Sequence, residues 1–318
     1  MILHQSLRLL AFMLLSISCR KEVKLPEAAP LDYWKDYVPF EAEYNAGGLQ
    51  FSVQYTIKPE AIDTVLWIKE FSGMSASLKN PGYAWVHNDS GNDPFLYLMR
   101  LSDGALVWSV YAGNWKNRDW EDVEVVKTAQ GAYVYLGDFG DNQQSRTSIH
   151  LYRIDEPVYG DSLFQDTTKI ADAEDIELVF PDKAHDVEAL FSDAQRGDVY
   201  LVTKRESRSM LFGLPYKQSF SETDTLVYCG SFPFNYTTAA SASLDGKSIA
   251  MRNYQQIMEW TIVPGVDFRD QLSQEPKQLP YDNLEIQGES IALTDSGYYL
   301  LSEAAFGFKP VLYFFRKE

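Results

Sequence analysis

The sequence predicts an all-β protein built as a β-propeller. Past Phe40 the chain consists of short runs of Val, Ile, Tyr, Phe and Trp separated by Gly, Asp, Asn and Pro, with hardly any stretch at the 3.6-residue period of an amphipathic helix. A triplet pattern recurs five times along this part of the chain. A repeat of about 40 to 50 residues that holds several strands is typical of propeller blades.

Each repeat contains one clear strand, preceded by a second strand that begins with the triplet. The clear strands cover residues 82–86, 132–136, 198–202, 247–251 and 297–301. The triplets begin at Met74, Glu121, Glu188, Ala240 and Glu289. Their spacings are 47, 67, 52 and 49 residues, so we expect an insertion in the second repeat, near residues 161–177.

The two ends of the chain are expected to close the ring. The last repeat, which begins at Glu289, is too short for four strands, whereas residues 49–57 and 64–69 resemble strands without a triplet. Strands from this N-terminal segment would complete the final blade and remove exposed sheet edges. Five blades are counted directly. A sixth blade with an eroded signature, a β-sandwich and a non-closed array are the alternatives.

The first residues predict export. Arg8 precedes the apolar run 9–15, which is too short to span a bilayer as a helix and is typical of a signal peptide. Residues 16–18 lead into Cys19 and resemble the lipobox of bacterial lipoproteins, although Ser16 stands where that pattern usually has Leu. Simple secretion or a retained anchor is the alternative.

This pattern divides the chain into three parts. We expect a lipoprotein signal peptide over residues 1–18, a tether over 19–40 that begins at an acylated Cys19, and a propeller domain over 41–318. The expected location is the bacterial cell envelope, as an outer-membrane lipoprotein held by its lipid.

Composition sets two further limits. Once Cys19 is acylated, Cys229 is the only thiol left, so a core rich in apolar and aromatic residues must stabilise the fold without disulfides. The formal charge is −17, and it becomes −18 when residues 1–18, which contain Arg8 and no acid, are removed. Such a surface repels phosphates, so we expect no nucleic-acid partner.

The repeat predicts an acidic face. In an antiparallel hairpin the start of the first strand lies beside the end of the second. If the triplets begin the innermost strands, Glu121, Glu188 and Glu289 surround the mouth of the central channel. A second tier would follow the ends of the neighbouring strands, at Asn88, Asp138, Lys204, Asn253 and Glu303.

Facing carboxylates need a compensating cation. Ion pairs with Lys204, Arg205 and Arg252 are one solution. The other is a divalent cation, with calcium favoured, because hard cations take carboxylate and amide oxygens. The residues expected to bind the metal are Glu121, Glu188, Glu289, Asp138 and Asn253.

The same face supplies the residues expected to bind a ligand, which are His87, Asn88, Asp89, His185, Lys204, Arg205 and Arg252. The polar loops 87–93 and 137–142 add oxygen side chains, although turns that bond their own backbone have the same composition. No nucleophile elbow, zinc-binding helix, phosphate-binding loop or paired-Cys motif is present, so the catalytic residues, if any, stay unidentified.

Five segments carry a family resemblance: residues 85–91, 119–122, 137–142, 186–190 and 288–292. Together they resemble a group of secreted bacterial propellers, over about residues 70–318. The chain is more distantly similar to phytase-like and gluconolactonase-like propellers, in which an acidic axis binds calcium or another divalent ion. The resemblance implies that Glu121, Glu188 and Glu289 are axial carboxylates, with Asn253 or Asp138 as co-ligands. The phytase signature is only partly present at residues 186–189.

The sequence therefore predicts an envelope-anchored propeller that binds a small-molecule, glycan or protein ligand at its acidic face, together with a divalent cation. One alternative is a metal-assisted hydrolase of a phosphoester or lactone, in which Lys204 or Arg252 holds an anionic group. Another is a scaffold that docks a protein through Trp115, Phe306 or Phe308. Whether the protein is an enzyme is left open.

Overall fold

The computed structural model describes residues 32–35, 37–62, 70–160, 167–281, 285, 287–304 and 308–318. Five β-sheets account for nearly all the regular structure of these residues. Within each sheet, strands that follow one another along the chain pair antiparallel, and the five innermost strands lie side by side around one axis. The predicted five-bladed propeller is confirmed.

The elements before the first blade are helix α1 (Asp32–Lys35), strand β1 (Phe40–Glu41), a 3-10 turn (Ala46–Gly48) and strand β2 (Glu60–Ile62). The first blade contains β3 (Phe71–Ala76), β4 (Tyr83–Asn88), β5 (Leu96–Arg100) and β6 (Ala105–Tyr111). The second contains β7 (Trp120–Lys127), β8 (Ala132–Asp138), β9 (Ile149–Asp155) and, after the short strand β10 (Thr167–Lys169), β11 (Glu174–Val179).

The third blade contains β12 (Val187–Ser192), β13 (Val199–Thr203), β14 (Met210–Leu214) and, after the short strand β15 (Asp224–Thr225), β16 (Val227–Ser231). The fourth contains β17 (Thr237–Ala242), β18 (Ser248–Asn253), β19 (Ile257–Thr261) and, after helix α2 (Phe268–Leu272), β20 (Lys277–Leu279). The fifth contains β21 (Gly288–Thr294), β22 (Gly297–Ser302) and β23 (Leu312–Arg316).

The N-terminal segment closes the ring, as predicted. Strand β2 pairs antiparallel with β23, with Glu60 opposite Phe314, and so supplies the fourth strand of the fifth blade. The closing strand is thus Glu60–Ile62. The stretch 49–57 contributes two single bridges instead, from Phe51 to Gln278 and from Tyr55 to Lys317. The other expected strand, over 64–69, lies outside the described residues.

Short parallel segments cover the outer edges of several blades. Strand β10 pairs with β6, β15 with β11, and β1 with β16. Each gives partners to backbone groups that an exposed edge strand would offer to another chain. Strand β10 lies within the expected insertion at 161–177, so part of that insertion covers the first blade.

A bulge interrupts the start of every innermost strand. The pairing shifts by one residue between Trp120 and Asp122 in β7, and at the equivalent point in β3, β12, β17 and β21. The five bulged residues are Gly73, Glu121, Glu188, Thr238 and Glu289. A bulge turns its side chain out of the regular alternation of the strand. The bulged Glu121, Glu188 and Glu289 therefore point toward the mouth of the central channel.

This register corrects two of the aligned triplets. The first begins at Gly73 rather than Met74, and the fourth begins at Thr238 rather than Ala240. The positions that face the mouth after the second strands shift in the same way. Lys204 corresponds to Asn88, Tyr254 and Glu303, whereas Asp138 and Asn253 each lie one residue earlier, within the paired part of β8 and β18.

Two buried carboxylates of β7 tie the innermost strands together. Asp122 Oδ2 accepts hydrogen bonds from the backbone N–H groups of Leu190, at 2.8 Å, and Ala240, at 3.3 Å. Glu124 accepts hydrogen bonds from the hydroxyls of Ser75, at 3.2 Å, and Ser192, at 3.1 Å. These acceptors satisfy inner-edge groups that have no further strand beside them.

The remaining core consists of apolar clusters between neighbouring blades. Cys229 is buried in one of them as a free thiol. Trp115 is buried as well, with its ring edge-on to Trp120, so it offers no docking surface. Phe308 is 66% exposed, and Phe306 lies outside the described residues. No helix in the described part is long and apolar enough to cross a bilayer.

Candidate functional site

The acidic mouth contains one buried cation that two blades share. Lys204 Nζ lies 2.7 Å from Glu188 Oε2 and 3.7 Å from Glu289 Oε1. Burial would lower the pKa of Lys204, but the two carboxylates raise it, so the side chain stays charged. Glutamates separated by about a hundred residues of sequence thus meet around one ammonium group.

Tyr254 completes this part of the mouth from the fourth blade. Its hydroxyl donates a hydrogen bond to Glu289 Oε1 at 2.7 Å, and its ring centroid lies 5.6 Å from Lys204 Nζ. The aromatic ring adds a cation–π contact to the ion pairs. Sequence reasoning missed Tyr254 because it assigned the mouth position to Asn253, one residue too early.

The third glutamate lies in a separate carboxylate cluster. Oxygen atoms of Asp89, Asp119 and Glu121 all lie within 4.8 Å of one another. Asp89 follows β4, Asp119 precedes β7 and Glu121 is the bulged residue of β7, so the cluster joins the first two blades. Asp119 belongs to the segment 119–122, which carries part of the family resemblance, but it was not among the residues expected to bind a metal.

All three members of this cluster resist ionisation. Burial raises the pKa of Asp89 to about 6, with repulsion from Glu289, Asp119 and Glu70 acting in the same direction. Burial also raises the pKa of Glu121, well above its usual range, and repulsion from Glu188 and Asp89 adds to this. The pKa of Asp119 is raised by burial and by Asp186. A bound cation would relieve this repulsion.

Gly140 holds the cluster together from the next loop. Its backbone N–H donates to the carbonyl oxygen of Asp119 at 3.1 Å. A Cβ added at this position would overlap the carboxylates of Glu121 and Asp119. The loop can therefore approach the carboxylates this closely only with glycine at position 140.

Glu303 links the two halves of the mouth. Burial raises its pKa to about 8, and repulsion from Glu289 and Asp89 contributes. The Gln287 amide donates to its Oε2 at 3.2 Å. The carboxylates thus run around the mouth from Asp119 through Glu121, Glu188 and Glu289 to Glu303 and back to Asp89.

Two residues expected to bind the metal have other partners. Asp138 Oδ1 lies 3.3 Å from the Arg146 guanidinium and also accepts the Asp119 backbone N–H at 2.9 Å. Asn253 uses its side-chain oxygen to accept the backbone N–H groups of Gln255 and Gln256, both at 2.9 Å. Both side chains therefore stabilise loops beside the mouth.

Arg252 is fully buried rather than facing a ligand. Its guanidinium lies 3.0 Å from Glu285 and donates to the Ser290 carbonyl oxygen at 3.0 Å. Arg205 is different, because its side chain is 39% exposed at the edge of the face and lies 2.5 Å from Asp186. Only Arg205 of this pair keeps a surface that solvent can reach.

Both candidate histidines are buried. His185 Nδ1 lies 2.5 Å from Glu206, and its Nε2 lies 3.1 Å from Asp182. Burial would lower the pKa of His185, but these two carboxylates raise it. Burial lowers the pKa of His87 to about 4, so its ring is neutral at physiological pH. These placements match ordinary structural histidines.

Asn88 contributes an unusual polar atom beside the cluster. Its side-chain oxygen is buried and accepts no hydrogen bond from the described residues. Its backbone carbonyl accepts from the Asn117 amide at 3.3 Å. Asn88 is the last residue of β4, and Asp89, one of the clustered carboxylates, is the next residue.

Oxygen donors of this kind suit a hard divalent cation. Calcium takes six to eight oxygen ligands, from carboxylates, amides and water, in flexible geometry. The three carboxylates of Asp89, Asp119 and Glu121 would supply part of such a shell, and water or a bound ligand would supply the rest. In contrast, Glu188 and Glu289 already have Lys204 as their counter-ion.

Comparisons with known proteins bear on the fold alone. No protein-family model matches the sequence, and no curated protein matches it at a significant level. A chain in the crystal structure of a nidogen/laminin complex is similar to it, with 10% sequence identity and a TM-score of 0.41, over 74% of this chain and 72% of that one. The propeller assignment rests on the strand topology. In general terms, the fold fits a scaffold for binding a ligand or a protein.

Proposed function

We propose that the protein is an exported, envelope-anchored propeller that holds a divalent cation, calcium in the first place, at Asp89, Asp119 and Glu121. The cation would form part of a ligand-binding site at the acidic mouth. The observation that carries this proposal is the approach of three carboxylate oxygens to within 4.8 Å, while Lys204 is held by Glu188 and Glu289.

Charge supports a cation at this place. Carboxylates so close together repel one another unless protons or a cation compensate. Lys204 lowers the pKa of Glu121 only as a minor influence, behind burial and three like charges. A divalent ion would replace protons on the cluster and keep all three groups ionised.

The mouth also offers a surface for a ligand. A cation there could accept an oxygen ligand from a small molecule, glycan or protein, while Arg205 remains partly exposed at the edge of the same face. Export and anchoring are supported by the sequence alone, through the apolar run 9–15 and Cys19.

The experiment is thermal unfolding of the full chain with calcium and with EDTA. A cation at one hundred times its dissociation constant should stabilise the native state by about 2.7 kcal/mol. Asp119→Asn should abolish most of this gain. Asp103→Asn is the matched control, because Asp103 is an exposed carboxylate that pairs with Arg100.

Unchanged melting temperatures across calcium, magnesium and manganese would refute the cation site. Acylation is tested separately by mass spectrometry of the mature chain from a bacterial host. A free N-terminal Cys19, or an uncleaved signal segment, would refute the anchor.

A further inference from the structure

The segment between β1 and β2 exposes three large apolar side chains within seven residues of sequence. Val53 is 84% exposed, Ile57 is 83% exposed and Phe51 is 64% exposed. Val53 and Ile57 are the two most exposed large apolar residues of the described chain. Single exposed apolar side chains are ordinary, but three within residues 51–57 form a patch that needs an explanation.

This patch lies on the outer rim, where the fourth and fifth blades meet. Phe51 forms a bridge with Gln278 in the middle of β20, and the Ser52 N–H donates to the Gln278 carbonyl oxygen at 2.8 Å. Further along, the Thr56 N–H donates to the Arg316 carbonyl oxygen at 2.9 Å. The backbone is thus held against two blades while the apolar side chains remain exposed.

Charged residues of both signs border the patch. Lys58 follows Ile57, Lys277 precedes the bridge partner of Phe51, and Lys317 is itself the bridge partner of Tyr55. All three lysines are exposed, and so are Glu60, Glu275 and Glu318. The Glu318 N–H donates to the Gln54 carbonyl oxygen at 2.8 Å. An exposed apolar segment bordered by long charged side chains can lie in the headgroup region of a bilayer, with the charged ends in water.

We propose that residues 51–57 rest against the lipid bilayer that carries the acyl chain of Cys19. This inference rests on the anchoring part of the proposed function. Twelve residues lie between Cys19 and Asp32, and so short a chain spans at most ~45 Å. The anchor therefore keeps the body close to the membrane, where the rim can touch it.

A second copy of the chain fits this patch less well. A stable protein interface buries at least about 1,000 Å² in total, with complementary packing on both sides. Three side chains on one segment offer much less than that. A bilayer needs no complementary shape and binds a small apolar patch when an anchor already holds the protein nearby.

This contact would fix how the propeller lies. With the rim on the bilayer, the central axis runs along the membrane surface and the acidic mouth opens sideways. The carboxylates of the mouth then stay away from anionic headgroups, and a ligand can reach them without displacing lipid.

The test places an environment-sensitive fluorophore on the rim of the acylated full chain. Val53→Cys carries the label in one sample and Val263→Cys in the control, since Val263 is an exposed valine (51%) of the fourth blade. Cys229 is buried and Cys19 is acylated, so neither competes for the label. In mixed phosphatidylcholine and phosphatidylglycerol vesicles, we expect a blue shift and quenching by lipid-borne nitroxide at position 53 only. Equal, solvent-like emission at both positions would overturn the proposal.

A second pair of variants separates this contact from simple proximity to lipid. The Phe51→Ser and Ile57→Ser double variant should reduce nitroxide quenching at position 53 at least threefold. Phe308→Ser should leave quenching unchanged, because Phe308 is as exposed as Phe51, at 66% against 64%. Equal effects of the two variants would contradict a role for the patch. If, without vesicles, the label at position 53 became shielded from solvent as the protein concentration rose, the patch would instead contact a second copy of the chain. A chain without acylation would overturn this inference, whereas cation titration without lipid reports on the cation site independently.

Discussion

The ammonium group of Lys204 lies 2.7 Å from the carboxylate of Glu188, and the two side chains are only 10% and 4% exposed. The same ammonium group is 3.7 Å from Glu289. One internal cation therefore compensates carboxylates from two blades, and it explains how two of the three glutamates coexist at the mouth. The third, Glu121, lies with Asp89 and Asp119 instead.

Replacing Lys204 with Met should destabilise the fold in a pH-dependent way. The loss leaves Glu188 buried without its counter-ion, and removing one partner of a buried pair costs about 3 to 5 kcal/mol. Protonation of Glu188 relieves this cost, so the loss in free energy of unfolding should be larger at pH 8 than at pH 6. Urea unfolding at both pH values measures it.

Lys247→Met is the matched control for this prediction. Lys247 pairs with Asp245 at 2.8 Å, but both side chains are largely exposed, and such pairs contribute about 0 to 1 kcal/mol. Equal losses for the two lysine variants would show that the buried pair has no special role.

Because the buried carboxylates have raised pKa values, we expect the free energy of unfolding to fall as the pH rises through neutrality. Burial raises the folded-state pKa of Glu124 to about 8, well above its unfolded value. A carboxyl group with a raised pKa adds its full share to the free energy of unfolding below its unfolded pKa, near 4.5. It loses that share as the pH rises to about 8. Each such group changes the free energy of unfolding by up to about 1.4 kcal/mol per pH unit within that window.

Urea titrations between pH 5 and pH 9, without divalent ions, measure this slope. Glu124→Gln should flatten it, because the amide cannot ionise. Between pH 6.5 and about 4 His87 acts in the opposite direction, since burial lowers its pKa to about 4 and its neutral native form is lost on acidification, so the net slope should be shallower there. A stability that rises from pH 6 to pH 8 would contradict the assignment.

Gly140→Ala should weaken cation binding more than it weakens the fold. The added Cβ would push against the carboxylates of Glu121 and Asp119 and spread the cluster. We expect calcium affinity to fall at least tenfold by calorimetric titration. Gly47→Ala is the control, because a Cβ there meets only ordinary contact at 3.6 Å from Asn45. Unchanged affinity in Gly140→Ala would place the cation elsewhere.

The regular spacing of the five repeats was enough to predict the fold, because each blade repeats the same order of strands and turns. Composition cannot reveal the bulge at the start of each innermost strand, since a shift of one residue leaves hydrophobicity almost unchanged. The register was therefore right at Glu121, Glu188 and Glu289, which are bulged residues themselves. It was wrong at Met74 and Ala240.

The same shift limited the prediction of the site. Lys204 and Glu303 were placed correctly at the mouth, but Asn253 was chosen in place of Tyr254 because the end of β18 was set one residue too early. Arg252 was predicted to bind a ligand because it is a cation beside the acidic face. Its charge is instead paired with Glu285, which lies 33 residues further along the chain. Such pairings depend on how blades pack, which no local pattern contains.

Asp122→Asn should destabilise the whole ring rather than one blade. Asp122 accepts hydrogen bonds from the N–H groups of Val123, Leu190 and Ala240, which belong to three different innermost strands. The amide of Asn would turn a donor toward one of these donors, and an unsatisfied buried donor costs about 1 to 3 kcal/mol. Urea unfolding should show that loss in a single transition, since three blades share the contact.

Asp103→Asn, at an exposed carboxylate, should stay within about 0.5 kcal/mol of the parent protein. A separate early transition in Asp122→Asn would mean that the blades unfold independently of this residue.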